Sequence, residues 1–238
     1  MYFFFIRHGD PIYNPDSLTE KGKEQAAALS KRFEKFGLDR IYSSTSERAI
    51  MTAEPTAKLL GKEIHLLDYT HENHAGEDFF VDICGKRNWA FLSAEYMSKF
   101  NTDEVISLGR KWYTHPDFKD TNFENGVKRV HSGNVKLMEE LGYGYDEGTH
   151  TYYVKEHKYD RVALFAHGGF GMAFVSDFLD IPYPVFCVRF DHLSCTDVCV
   201  FKIPDEGKNI VPMMLQYGND SHLYKENLAR DYNGQNTF

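Results

Sequence analysis

The chain opens on Tyr2-Phe3-Phe4-Phe5-Ile6, an unbroken apolar run that ends at once in Arg7-His8-Gly9. No other feature limits the fold as much. The run does not alternate with polar residues, so it describes a strand covered on both faces, as in a parallel sheet sandwiched between helices. A guanidinium and an imidazole directly after such a strand are costly to hold unless something anionic meets them. In open α/β sheets, ligands gather outside the carboxyl ends of the strands. The run is too short for a signal peptide or a membrane span.

The following segments repeat the strand–helix rhythm. Thr19 can cap a helix with Ala26, Leu29, Phe33 and Phe36 at helical spacing, and Gly37 ends it. Arg40–Ser43 reads as a strand, Ser46 to Leu60 as a helix closed by Gly61, and Ile64–Leu67 as a third strand. Arg161–Ala166 reads as another strand, followed by His167-Gly168-Gly169 and a helix to about Leu179; Cys195–Ile203 and Ile210–Gln216 read as the last strands. From about Asn73 to Tyr159 the pattern turns to charge, histidine and aromatics, with helices expected near 88–100 and 124–141 and a polar loop around Gly142–Thr151. The fold class predicted is α/β: one domain over 1–238, built as a three-layer, mostly parallel sheet with helices on both faces, carrying a helical cap insertion at about 73–159. The course of the chain from Gly218 onward, with His222 and several aromatics, is left open.

Charge narrows the partners. Lys plus Arg total 27 against 35 for Asp plus Glu, a net charge of −8. A chain this acidic is a poor partner for nucleic acid or an anionic membrane, though a pocket can be locally positive. The thiols Cys84, Cys187, Cys195 and Cys199 form no CxxC pair and are expected to be free, in the cytoplasm. His65, His71 and His74 with Glu72 match no zinc spacing, so no metal is expected. Oligomeric state is not legible.

Three strand ends carry the chemistry: Arg7-His8-Gly9, Ser43-Ser44 leading to Arg48 at a helix start, and His167-Gly168-Gly169. Two guanidiniums, two imidazoles and helix N-termini aimed at one point make an anion site, most naturally for phosphate. Glycine after each histidine is expected to let the backbone approach the ligand.

Five blocks occur in order: Arg7-His8-Gly9-Asp10 with Asn14; Leu18-Thr19-x-x-Gly22-x-x-Gln25-Ala26; Ser43-Ser44 with Arg48-Ala49 and Thr52-Ala53; Glu72-Asn73-His74-Ala75-Gly76; and Ala166-His167-Gly168-Gly169. In these the sequence resembles the histidine phosphatase superfamily, with its phosphoglycerate mutase-like fold. The resemblance covers the chain except most of the insertion. It implies that His8 is the nucleophile and forms a phosphohistidine, that Arg7, Asn14, Arg48 and His167 hold the phosphoryl oxygens, and that Glu72 is the general acid and base, with Asp68 and Glu77 as nearby alternatives. It further implies hydrolysis of a small phosphorylated metabolite with no cofactor. Only Pro15-Asp16-Ser17 separate Asn14 from Leu18, where mutases of the superfamily carry a long enclosing loop. The alternatives are a mutase dependent on 2,3-bisphosphoglycerate and a non-catalytic phospho-ligand-binding module. Phe79, Phe80, Trp89, Phe91, Tyr96, Phe100, Trp112 and Tyr113 are expected mostly in the cap's own core. Lys86, Arg87, Arg110 and Lys111 are expected on solvated surface, with contact to a second anionic group of the substrate as the alternative.

Overall fold

The computed structural model describes residues 1–230. In chain order its first part comprises β1 (Tyr2–Arg7), β2 (Pro11–Tyr13), β3 (Asp16–Leu18), α1 (Glu20–Phe36), β4 (Arg40–Ser43), α2 (Glu47–Leu60) and β5 (Ile64–Leu66). The inserted segment holds α3 (Glu72–Phe79), β6 (Phe80–Ile83), β7 (Lys86–Trp89), α4 (Ala94–Phe100), α5 (Asp103–Ser107), α6 (Phe123–Glu140), β8 (Tyr143–Asp146) and β9 (Thr151–Val154). The chain then returns through β10 (Arg161–Ala166), α7 (Gly168–Phe178), α8 (Tyr183–Cys187), β11 (Val198–Lys202), β12 (Met213–Asn219) and α9 (Ser221–Lys225).

The main sheet runs β12-β11-β1-β10-β4-β5. β1, β10, β4 and β5 are parallel, while β11 lies antiparallel to β1 and to β12. The α/β sheet expected from the sequence is therefore present. Phe3 to Ile6 of its opening run are buried on both faces by simple alternation, while Tyr2 is exposed. Phe3 and Phe5 join Phe170, Phe174 and Phe178 of α7 on one face. Phe4 and Ile6 join Leu29 and Phe33 of α1 and Ala53 and Ala57 of α2 on the other. Burying each such ring is worth about 1.5–3 kcal/mol. The first of these clusters continues without a break into the inserted segment, through Phe79, Phe100, Phe123 and Trp112.

Register then positions the site. Arg7 pairs with Ala166 across β1 and β10, and Phe165 pairs with Ser43 across β10 and β4. The residues just beyond those ends, His8, His167 and Ser44, are thus neighbours although far apart in sequence.

Several sequence expectations are corrected. The polar loop around Gly142–Thr151 is the β8–β9 hairpin, held by Tyr143 against Val154 and Tyr145 against Tyr152. The helix near 88–100 is split: Trp89 ends a strand, Ala90–Leu92 form one 3₁₀ turn, and α4 starts after Ser93, whose hydroxyl accepts from the Tyr96 amide. Phe36, expected inward, is 43% exposed and packs edge-on against Tyr2 and Phe4. The last two strands are Val198–Lys202 and Met213–Asn219, each starting three residues after the expected position. Beyond Gly218 the chain turns back over α1, where Arg32 donates to Asn219 Oδ1 at 2.5 Å; the remainder of that segment, 231–238, lies outside the described residues. The four cysteines are thiols rather than disulfides, and of them Cys84 is exposed. No described helix is long and apolar enough to cross a membrane.

Candidate active site

His8 follows β1 and is 3% exposed, its amide donating to Ala166 O at 2.9 Å. Its Nδ1 lies 2.7 Å from the Gly9 carbonyl. A carbonyl only accepts, so Nδ1 carries the proton and Nε2 keeps its lone pair. Burial pushes the His8 pKa well below the ordinary histidine value, and the Arg7 and Arg48 cations push it further. A neutral imidazole with a free Nε2 is the nucleophilic form.

Gly9 has a role other than the one expected. A Cβ there would stand 2.7 Å from Gly22 O, and one on Gly22 would stand 2.3 Å from Asp10 O. The two glycines let the loop after β1 press on the first turn of α1, and the Gly9 amide donates to Thr52 Oγ1 at 3.0 Å. This glycine fixes the loop that carries His8 and makes no room for a ligand.

Arg48 projects from the first turn of α2 and is 7% exposed. Its Nη1 donates to Asp16 Oδ1 at 2.7 Å, while its Nε is buried with no hydrogen-bond partner. Asp16 also accepts from Ser46 Oγ at 2.7 Å and the Glu47 amide at 2.9 Å. Burial works against the Asp16 charge, but these bonds and the Arg48 charge hold its pKa below the usual carboxylate value. Asp16 therefore caps α2 and aims Arg48 together, a role the sequence reading missed. Asn14, expected among the phosphate ligands, is exposed at the tip of the β2–β3 hairpin and is not brought to the pocket. The hairpin turns its acid inward and its amide outward.

His167 is fully buried, with its ring centroid 5.2 Å from that of His8. Its Nε2 lies 2.8 Å from Ser44 Oγ, which also accepts the Ser46 amide at 3.3 Å. With Ser44 as the donor to Nε2, the proton of His167 sits on Nδ1, which is buried and unpartnered. Burial and the surrounding His8 and Arg48 hold His167 neutral, its pKa well below the ordinary value. Arg7, at the end of β1, donates from Nη1 to the Leu193 carbonyl.

Glu72 starts α3 and aims at the first turn of α7. Its two oxygens accept from the amides of Gly169 and Phe170, both at 3.0 Å. Burial raises its pKa despite those bonds and the nearby arginines. The two alternative carboxylates differ in setting. Asp68 has 75% of its side chain exposed, is tied to His74 at 3.1 Å, and has a lowered pKa. Glu77 is exposed at the rim.

Arg7, His8, Arg48 and Glu72 line one cavity of about 790 Å³. Phe80, Trp89 and Phe91 form its aromatic wall, with Trp89 stacked on Phe91 at 5.3 Å. A Cβ on Gly169 would stand 2.3 Å from the Trp89 ring, so only glycine lets the indole lie against the backbone that binds Glu72. Phe79, Phe91, Phe100 and Trp112 belong to the core as expected, and Phe91 together with the partly buried Trp89 also lines the site. Arg87 is exposed, as expected, and also lines the cavity, whereas Arg110 bonds Asp180 elsewhere. Among the described residues, no cluster of three or more His, Cys, Asp or Glu is placed to hold a metal.

Comparison with known proteins agrees with this fold. Residues 3–79 match the family model described as histidine phosphatase superfamily (branch 1). A protein of Hydrogenobacter thermophilus, provisionally named phosphoserine phosphatase 2, is 27% identical over 175 residues, covering 70% of this chain and 72% of that one. Among solved structures, a mycobacterial glucosyl-3-phosphoglycerate phosphatase complexed with inorganic phosphate superposes with a TM-score of 0.58 at 19% identity, covering 93% of this chain and 98% of that one. A variant phosphoserine phosphatase from Entamoeba histolytica, complexed with phosphoserine, gives 0.56 at 18% identity and the same coverages, 93% and 98%.

Proposed function

We propose that this chain is a member of the histidine phosphatase superfamily that hydrolyses phosphomonoesters of small metabolites through a phosphohistidine on His8. One observation carries the reading: the His8 Nδ1–Gly9 O bond leaves Nε2 as a lone pair in a cavity lined by Arg7 and Arg48. Nε2 attacks phosphorus and the ester oxygen leaves. Arg7, Arg48 and the Nδ1–H of His167 hold the equatorial oxygens as charge builds. Glu72 gives its proton to the leaving oxygen. Water then attacks the phosphohistidine, Glu72 takes a proton from it, and inorganic phosphate departs with His8 restored. The raised pKa of Glu72 suits it to begin the cycle protonated. The exposed rim residues Asn73, Glu77 and Arg87 leave the cavity accessible to water, which favours hydrolysis over return of the phosphoryl group to substrate.

The deciding experiment is a panel of phosphorylated metabolites that includes 3-phosphoglycerate with and without 2,3-bisphosphoglycerate. Phosphate release is expected. Interconversion of the 2- and 3-phospho isomers without release would establish a mutase instead. The two arginines supply the positive charge that a metal brings to other phosphoryl-transfer sites, so turnover of p-nitrophenyl phosphate is expected to be unchanged in EDTA; full loss in chelator would overturn the metal-free mechanism.

The β6–β7 hairpin is the proposed source of substrate choice. Strand alternation puts Arg87 and Trp89 on the same face, and both line the cavity. Arg87→Ala is expected to raise KM for phosphoserine or 3-phosphoglycerate about five- to tenfold, leaving p-nitrophenyl phosphate within twofold, because only the former carry a carboxylate for the guanidinium. Equal changes on both kinds of substrate would remove Arg87 from recognition.

A further inference from the structure

A second cavity lies away from the phosphate site. It encloses about 260 Å³ between the inserted segment, the C-terminal half of α7 and the start of α8. Ser176 and Asp177 of α7 line it, seven and eight residues beyond the Gly169 amide that binds Glu72. At helical rise that is about 10–12 Å along the axis. No residue of the proposed catalytic set lines this cavity.

Its walls are aromatic. Tyr183 stacks on Phe79 at 4.9 Å and on Trp112 at 5.6 Å, and Tyr145, Tyr152 and Phe178 face in from other elements. Most of its charged walls are already paired. Arg110 Nε donates to Asp180 Oδ1 at 2.5 Å, His131 Nδ1 lies 2.9 Å from Asp177 Oδ1, and Lys128 bonds Glu124 at 2.6 Å. An anionic guest would meet the Asp177, Asp180 and Glu147 carboxylates and a cationic one Arg110, Lys111 and Lys128, whereas a neutral guest leaves the existing pairs intact. One fully buried polar group of the wall is unspent. The Tyr183 hydroxyl is buried, at 3% residue exposure, with no hydrogen-bond partner. Burial, with Cys187 and Glu72 nearby, keeps that phenol protonated, so it is a donor lacking an acceptor. A dry cavity of about 150 Å³ already admits benzene; this one has room for two fused rings.

We propose that this cavity is a second ligand site, specific for a neutral, two-ring aromatic compound that brings one hydrogen-bond acceptor to Tyr183. The flat aromatic walls select rings, the paired charges select against ions, and the buried phenol orients the acceptor. The proposal does not depend on what the phosphate site does.

The test uses 2-naphthol as probe on the full chain, read by isothermal titration calorimetry at pH 7. Saturable one-site binding is expected, and saturating orthovanadate, which fills the phosphate site, is expected to leave it unchanged. Tyr183→Phe is expected to weaken binding about fivefold, the worth of one net hydrogen bond. Ala173→Leu and Val127→Phe, each adding volume at the wall, are expected to weaken it at least tenfold while p-nitrophenyl phosphate turnover stays within twofold. Val127 is only partly buried, so that variant decides the matter should Ala173→Leu fail to fold. No saturable heat, displacement by orthovanadate, or unchanged affinity in the volume-adding variants would each overturn the proposal.

Discussion

His8→Ala is expected to lower kcat for p-nitrophenyl phosphate by about 10⁴-fold or more, while the protein still folds and still binds inorganic phosphate within about tenfold of the parent affinity. The expectation rests on a division of labour. Removing a nucleophile that acts within a constellation costs about as much as removing the constellation, since no covalent intermediate can form. Binding is a separate matter, because Arg7, Arg48 and His167 come from other positions on the sheet ends and keep their own supports. Arg48 is held by Asp16, and His167 by Ser44. The two readouts therefore separate loss of chemistry from loss of structure. A complementary measurement is trapping: the parent quenched during turnover should carry a phosphoryl group that is labile to acid and stable to base, as a phosphoramidate is, and His8→Ala should carry none. Turnover within tenfold of the parent, or a trapped acyl phosphate in place of the phosphoramidate, would remove His8 from the nucleophile's role.

How much of this site could be read before the structure depends on where each side chain sits relative to a strand end. Arg7, His8 and His167 stand beside buried strands whose apolar runs are plain in the sequence, so the rule that ligands meet at carboxyl ends locates them without coordinates. Glu72 lies on no such strand. It was reached through the resemblance, and its bond to the α7 amides across 97 positions of chain has no local signature. Asp16 was missed for a related reason. It looks like an ordinary turn residue between Pro15 and Ser17, and only the β2–β3 hairpin turns it onto Arg48, 32 positions away. The same hairpin carries Asn14 outward, so position in a motif placed Asn14 at the phosphate whereas backbone geometry did not. In the inserted segment, composition misled in both directions. The glycine, acid and threonine residues at 142–151 suggested loop and hid the tyrosine alternation of β8 and β9. The aromatics looked uniform, yet contacts divide them between core and cavity wall: Trp112 is 1% exposed among other rings, whereas Trp89 lies on the Gly169 backbone beside the acid.

Glu72→Gln tests the other half of the chemistry, and its effect depends on the leaving group. Glutamine keeps the shape and one acceptor oxygen for the Gly169 or Phe170 amide, but it cannot give up a proton at neutral pH. Alkyl phosphates such as phosphoserine leave as strongly basic alkoxides, so their turnover is expected to fall about 10²–10⁴-fold, the range for loss of a positioned general acid. p-Nitrophenolate needs little protonation, and its phosphate is expected to lose about tenfold or less. The pH profile supplies a second signature with a definite sign. The folded pKa of His8 lies below its ordinary value, and its reactive form is neutral, so kcat/KM rises as pH climbs through that depressed value. Glu72 lies above its ordinary value, and its reactive form is protonated, so kcat/KM falls as pH climbs through that raised value. In Glu72→Gln the falling limb should be absent and the rising limb retained, with ionisation of the substrate common to both proteins and cancelling in the ratio. Equal losses across leaving groups, with the falling limb still present, would move the acid to Asp68 or Glu77. Those two are the exposed carboxylates of the neighbourhood: bonds to His74 and Thr45 lower the pKa of Asp68, Glu77 stands at the rim, and no amide pair fixes either side chain. Burial against the start of α7 is what lets Glu72 hold a proton beside two arginines, and that competition between desolvation and charge is what the variant measures.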